Sequence, residues 1–265
     1  MNVFVRELKA NQRTLIIWCV GILALVAVGV GKYAGLSASD QALNDLVAKM
    51  PKAIRGFMGG GEFNLSQASG YYGIIYGYLL LIAAIHAAML GSNLLAKEER
   101  DKTAEFLLVK PVSRYQIVGA KLGAALCNIL LLNVITWLIS VLSMSALGNE
   151  EALTQEITLL MAGMLVIQSL FLSIGLVLSA CLTNAKNAPT WTMSIVLLTY
   201  LLAVGINITD SLNGLTFLTP FKYVDTAGII NGGGLSIVYL IASILISLIL
   251  FGLSFVYYKQ RDIQL

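Results

Sequence analysis

Six long apolar runs constrain this chain more than any other feature. They cover about residues 14–35, 71–96, 118–147, 155–183, 188–208 and 235–258, and no Asp, Glu, Lys or Arg falls in their central portions. A helix needs roughly 20 apolar residues to cross a bilayer, so each run is long enough to span. A soluble fold cannot absorb them: 12% of the residues are charged, against about 25% in an average soluble domain. A transmembrane β-barrel is excluded, because its signal is a series of short alternating segments rather than continuous apolar runs. The expected fold is an all-α integral membrane protein with six transmembrane helices, forming one domain over 1–265.

Between the second and third runs lies the densest charge in the chain. Lys97 to Lys121 holds 10 of the 31 Asp, Glu, Lys and Arg residues. Charges this dense between two membrane-length segments belong in water. Good helix formers fill the stretch up to Pro111, and Phe106, Leu107 and Val109 add an apolar component. Pro111 breaks any such helix, and Ser113 with Gln116 forms a capping box that starts the next one. The residues are compatible with a short surface helix hinged onto a spanning helix, and equally with a solvated charge-rich loop.

The other connections are less marked. Residues 1–13 carry Arg6, Lys9 and Arg13 against Glu7, with Phe4, Val5 and Leu8 on one helical face, which predicts an amphipathic helix on the inner membrane surface. The run from Leu15 to Val30 is long for a signal-peptide core and reads as a retained span. In 36–70, Ser39 is placed to cap a helix through Ala42, Leu43, Leu46, Val47 and Met50, interrupted at Pro51. Gly59-Gly60-Gly61 lacks the Lys-Ser or Lys-Thr of a phosphate loop and reads as a turn. Residues 209–234 are polar and Gly-rich, yet Phe217, Leu218 and Phe221 suggest a re-entrant or interfacial piece. Lys and Arg number twelve on the side of the N-terminus and of Lys97–Lys121, and five on the other. The positive-inside rule therefore puts both termini in the cytoplasm of a multi-pass plasma-membrane protein.

Candidate chemistry inside the spans is sparse. His86, the single histidine, lies about ten residues, roughly 15 Å of helix, from the inner end of its span. An intramembrane ionisable group is a functional candidate by default. Proton relays usually add a carboxylate, and the central portions of the spans hold none. Two readings stay open for His86: a neutral imidazole hydrogen-bonded between helices, and a contact for a transported substrate. Asn93, one heptad along, and Asn128, Asn133 and Gln168 carry the same two readings. As interhelical hydrogen bonds each is worth roughly 0.6 kcal/mol. Cys19, Cys127 and Cys181 sit in three different spans, so neither a disulfide nor a metal framework is expected. No Walker A loop, H-E-x-x-H motif or Ser-His-carboxylate set is present. The modest net charge of +3 lies in loops beside membrane, which argues against nucleic acid as a partner. A charge-rich segment on an otherwise mute bundle suggests that energy comes from a partner protein. A secondary transporter would instead need acidic coupling-ion ligands or broken helices at mid-membrane.

The order Glu98-Glu99-Arg100, Thr103, Glu105, Leu107-Leu108, Pro111, Ser113-Arg114 and Lys121 resembles the first cytoplasmic loop of ABC-2-type transporter permeases, the membrane subunits of ATP-binding-cassette exporters. The likeness extends to Phe4–Lys9, Pro220–Tyr223 and Tyr257–Ile263. The usual family pattern has Gly before the Thr, where this chain has Lys102. The resemblance implies that 97–113 is a coupling segment holding a helix that docks on the ATPase. Leu107 and Leu108 would then pack into it, and Glu98, Glu99, Arg100 and Glu105 would set register. Thr103 and Pro111 belong to the same element, and Arg114 would hold it to the membrane surface. It further implies two ATPase copies carrying ATP and Mg, no cofactor in this chain, a second identical or related permease, and a bacterial plasma membrane. Family cargoes include antibiotics, peptides, lipids, polysaccharides and ions. Six uncharged spans with Asn, Gln and Tyr favour an amphipathic or hydrophobic one.

Overall fold

A computed structural model describes residues 3–36, 47, 49–59, 63–65, 67–100, 113–146 and 152–260. Where the sequence offers no helix breaker, helices run long. No Gly or Pro occurs between Val3 and Val20, and α1 (Val3–Leu36) is one unbroken helix of 34 residues. The basic N-terminal stretch is thus helical but continuous with the span, because a change of polarity alone does not stop a helix. After α2 (Lys52–Phe57), α3 (Ala68–Arg100) crosses and continues as helix through Glu98, Glu99 and Arg100. The remaining long helices are α4 (Arg114–Ser145), α5 (Ala152–Cys181), α6 (Ala188–Ile208) and, after the short α7 (Thr226–Ile230), α8 (Ile237–Gln260). Pro189 lies in the first turn of α6, where its missing N–H costs nothing. Six helices are long and apolar enough to cross a membrane, and the described residues contain no strand. The chain is a multi-pass membrane protein.

Helix α3 is the spine, with α5 as its main partner; α8 packs on α5, and α1 on α4. Two glycines let α3 and α5 approach closely. A Cβ on Gly175 would lie 2.6 Å from Ala88 O and 2.7 Å from Ser92 N, and one on Gly91 would strike Leu172 O. Small residues at such crossings are how helices associate where lipid supplies no hydrophobic drive. Around the crossing, one core joins Tyr72, Tyr76 and Leu79 to Leu160, Met164 and Phe171, with Ile22, Val26 and Val196 from outside. A second, towards Lys97, joins Leu94 and Leu95 to Val118, Ile129, Leu176 and Tyr258. Tyr76 Oη donates to Leu160 O at 2.8 Å. The outward faces of α1, α6 and α8 carry exposed Ile17, Leu198 and Val238, which the acyl chains of lipid solvate.

At the end away from Lys97, residues 209–236 fold over the bundle. Thr209 ends α6 in an extended conformation, and 3₁₀ turns follow at Asp210–Leu218 and Pro220–Lys222. Phe221 is buried between the rings of Phe171 and Tyr200, with centroids 5.3 and 5.4 Å away. Thr219 Oγ1 donates to Thr199 O at 2.8 Å. Asp225 caps α7 by accepting from Gly228 N–H at 3.0 Å. Asn207 donates to Gly56 O at 2.9 Å, tying α2 to the end of α6. Of the helix expected from Ser39 through Met50, only Val47, Lys49 and Met50 are described, and Gly60-Gly61 lie outside the described residues.

Candidate functional site

Two regions carry the residues singled out above: the charged end of the bundle and the polar groups within it. At the charged end, α3 delivers Glu98, Glu99 and Arg100 on a continuous helix. Thr103, Glu105, Leu107, Leu108 and Pro111 lie outside the described residues. The chain is described again at Ser113, in extended conformation. Its hydroxyl accepts from Gln116 N–H at 3.2 Å and its own N–H donates to Gln116 Oε1 at 3.0 Å. That reciprocal pair satisfies two donors that a helix start leaves open, so α4 begins firmly at the exit of the charged segment.

Arg114 is the first residue of α4. Its Nη1 donates to Tyr258 O and Lys259 O, both at 3.2 Å. These carbonyls lie in the last turn of α8, where a cation meets the negative end of the helix. The guanidinium thereby fastens the end of the last helix to the start of α4. Tyr115 adds to the junction: its ring stacks on Phe255 at 6.2 Å, and the Lys259 ammonium lies 5.8 Å from its centroid.

About two turns along α4 from Arg114, Lys121 is only 1% exposed. Its ammonium donates to Leu94 O near the end of α3 and stands 3.8 Å from Glu7 Oε1 on α1. Glu7 is itself buried and lies 3.6 Å from Arg6 Nη2. Burying an ion costs several kcal/mol unless charge and hydrogen bonds offset it, and here a carboxylate and a carbonyl do so. In the sequence, Lys121 and Glu7 look like ordinary surface charges. The available signal was a lysine followed by a full span's length without another charged residue.

The intramembrane polar residues form two pairs. His86 (α3) is buried, with the Trp18 ring edge-on at 5.6 Å and the Asn128 side chain beside it. His86 Nδ1 and Asn128 Oδ1 nonetheless fall outside hydrogen-bond geometry. Asn133 Nδ2 donates to Met161 O at 3.1 Å and to Gln168 Oε1 at 3.3 Å, so it bridges α4 to α5. Asn93 turns back on its own helix, donating to Met89 O at 2.8 Å. None of the five lines the main cavity. That cavity, of about 370 Å³, lies at the opposite end from Lys97, between α2, α3, α6 and the 209–236 connection. Phe57, Tyr200 and Phe221 wall it, with Asn207, Lys222 and Asp225 as polar members. These six come from three separate stretches; the sequence pattern singled out Phe221 and Lys222 within the 209–234 connection but gave no sign that the six would meet.

Residues 1–263 match the model of a family described as ABC-2 family transporter protein. A comparison with curated proteins finds no match.

Proposed function

The chain belongs to the ABC-2 transporter family, which makes it a membrane permease of an ABC transporter, and we propose that it serves an exporter whose separate ATPase subunits dock at the Lys97–Lys121 end. ATP and Mg bind on those subunits, two per complex, and a second permease, identical or related, completes the pathway. Both termini and the charged end then face the cytoplasm.

One observation carries this reading. The charged segment is bracketed by two rigid helices, α3 running out through Arg100 and α4 capped at Ser113. A push on a segment whose two ends join helices bears on both of those helices. Arg114 passes the displacement to α8 through Tyr258 and Lys259. ATP-driven closure of the ATPases would so switch the bundle between inward-facing and outward-facing states. Leu107 and Leu108 supply apolar anchors for the docking contact. Glu98, Glu99, Arg100 and Glu105 fix its register, since interfacial charges set specificity more than affinity. The burial of His86, Asn128, Asn133 and Gln168 supports their reading as contacts between helices, with cargo contacts arising only if the bundle opens.

The test is co-purification with the partner ATPase in wild type and in Leu108→Ala and Glu105→Lys. Losing a central apolar anchor costs on the order of 2 kcal/mol, about thirtyfold in affinity. Both variants should insert and fold but lose the ATPase on dilution. Wild-type complex stability in both would remove the segment from the mechanism.

A further inference from the structure

The deepest charge among the residues whose burial is described is the one that closes the charged stretch, Lys121. The Lys121 side chain is 1% exposed. A lysine at a membrane surface ordinarily extends its ammonium to water; this one is turned into the protein instead. It meets three helices at one point: its own α4, α3 through Leu94 O, and α1 through Glu7. Leu94 lies six residues before Arg100, where α3 leaves the described bundle, and Lys121 lies eight residues after Ser113, where the chain re-enters it. Two of the three helices are therefore the pair that brackets the charged segment.

The third, α1, is anchored in the core at Ile22 and Val26 but presents most of its surface outward. Only 11% of its most apolar window is buried, and its main packing partner is α4. Near Glu7, Phe4 lies against Gly123 of α4: its ring carbons are 3.6 and 3.7 Å from where a glycine Cβ would stand. The first turns of α1 thus meet α4 at the Phe4–Gly123 contact and at the buried Glu7–Lys121 pair, among other places. A buried ion pair adds little net stability over apolar packing, but breaking it by removing one partner is strongly unfavourable. That makes it suited to fixing relative position rather than strengthening the fold.

We propose that Lys121 is a positioning residue that locks the N-terminal turns of α1 to the α3–α4 pair, so that displacement of the charged segment carries α1 with it. The transmitting half of this proposal rests on the coupling reading above; the locking half does not. Arg114 fastens the end of α8 to the start of α4, so α1, α3, α4 and α8 are tied together at this end.

The test is hydrogen exchange on the intact chain in lipid nanodiscs, with its co-purified ATPase, in wild type, Lys121→Met, Glu7→Gln and the double variant. Without nucleotide, exchange of amides 7–13 should rise roughly tenfold in each single variant, and the double should exceed Lys121→Met by little, as expected when two residues act through one contact. With Mg-ATP and vanadate, wild type should change at 7–13 and at 90–97 together. In the variants, the change should persist at 90–97 and vanish from 7–13, a separation that a merely structural role would not produce. Glu7→Gln, which leaves the Leu94 bond in place, keeps the test usable if Lys121→Met fails to fold. Wild-type exchange at 7–13 in nucleotide-free variants overturns the lock. An ATP response at 7–13 that survives in the variants overturns its role in transmission. An ATP response absent everywhere in wild type instead refutes the coupling reading, and the nucleotide-free arm still decides the lock.

Discussion

Substituting alanine for Gly175 adds one methyl group where α5 crosses α3. The new Cβ would stand 2.6 Å from Ala88 O and 2.7 Å from Ser92 N, about 0.8 Å inside the 3.4 Å at which ordinary contact begins. Both obstacles are backbone atoms of α3, so no rotamer change relieves them; the helices must part. A gap of 0.5–1 Å forfeits about a quarter to a half of the attraction across each lining contact. Overpacking of this kind costs about 1–3 kcal/mol, and the helix-propensity gain of about 1 kcal/mol for Gly→Ala offsets part of it. The net expectation is a loss of about 0–2 kcal/mol. Gly119→Ala on α4 is the control, since no atom lies within 4 Å of its Cβ position; propensity alone then acts, and stability should hold or rise slightly. Unfolding by SDS in mixed micelles, followed by fluorescence of Trp18, Trp137 and Trp191, measures both. A Gly175→Ala protein as stable as Gly119→Ala would show that α3 and α5 do not cross as described.

Cysteines placed singly at Ser39 and Gly214 in a Cys-free version should react with an impermeant thiol reagent in intact cells, and one at Lys102 should not; labelling at Lys102 from outside would reverse the orientation. Replacing His86 with Asn or Gln should leave ATP hydrolysis by the complex largely intact and independent of pH between about 6 and 8, where a free imidazole titrates. A large pH-dependent loss at normal expression would make His86 a mechanistic residue. Tyr76→Phe removes the buried bond to Leu160 O and should cost about 0.5–1.5 kcal/mol of stability in the same SDS assay, with no change in assembly with the ATPase.

The helices were legible because their cause is one-dimensional: an apolar run long enough to span needs no knowledge of its neighbours. The start of α4 was legible for the same reason, since Ser113 and Gln116 are three residues apart and make their bonds locally. The continuity of α1 was less so; residues 1–13 differ from the span in polarity, while the fold responds to the lack of a breaker before Gly21. What stayed hidden depends on how helices are rotated against each other. Asn133 and Gln168 are both visible as polar residues in apolar runs, but their pairing across α4 and α5 follows from packing. Lys121 reads the same in sequence whether it reaches water or a buried carboxylate. Of 24 glycines, Gly91 and Gly175 matter at the crossing because of what faces them, which no local pattern records.

The central claim is that an ATPase grips this chain between α3 and α4. Photo-reactive amino acids placed at Glu105 and Leu108 of the otherwise intact protein in cells, with Gly214 as the control position, test it most directly. Glu105 and Leu108 should give adducts with a protein that carries a Walker A loop, and Gly214 should give none. Adducts from both positions that contain no ATPase, while the protein is folded and in the membrane, would contradict it.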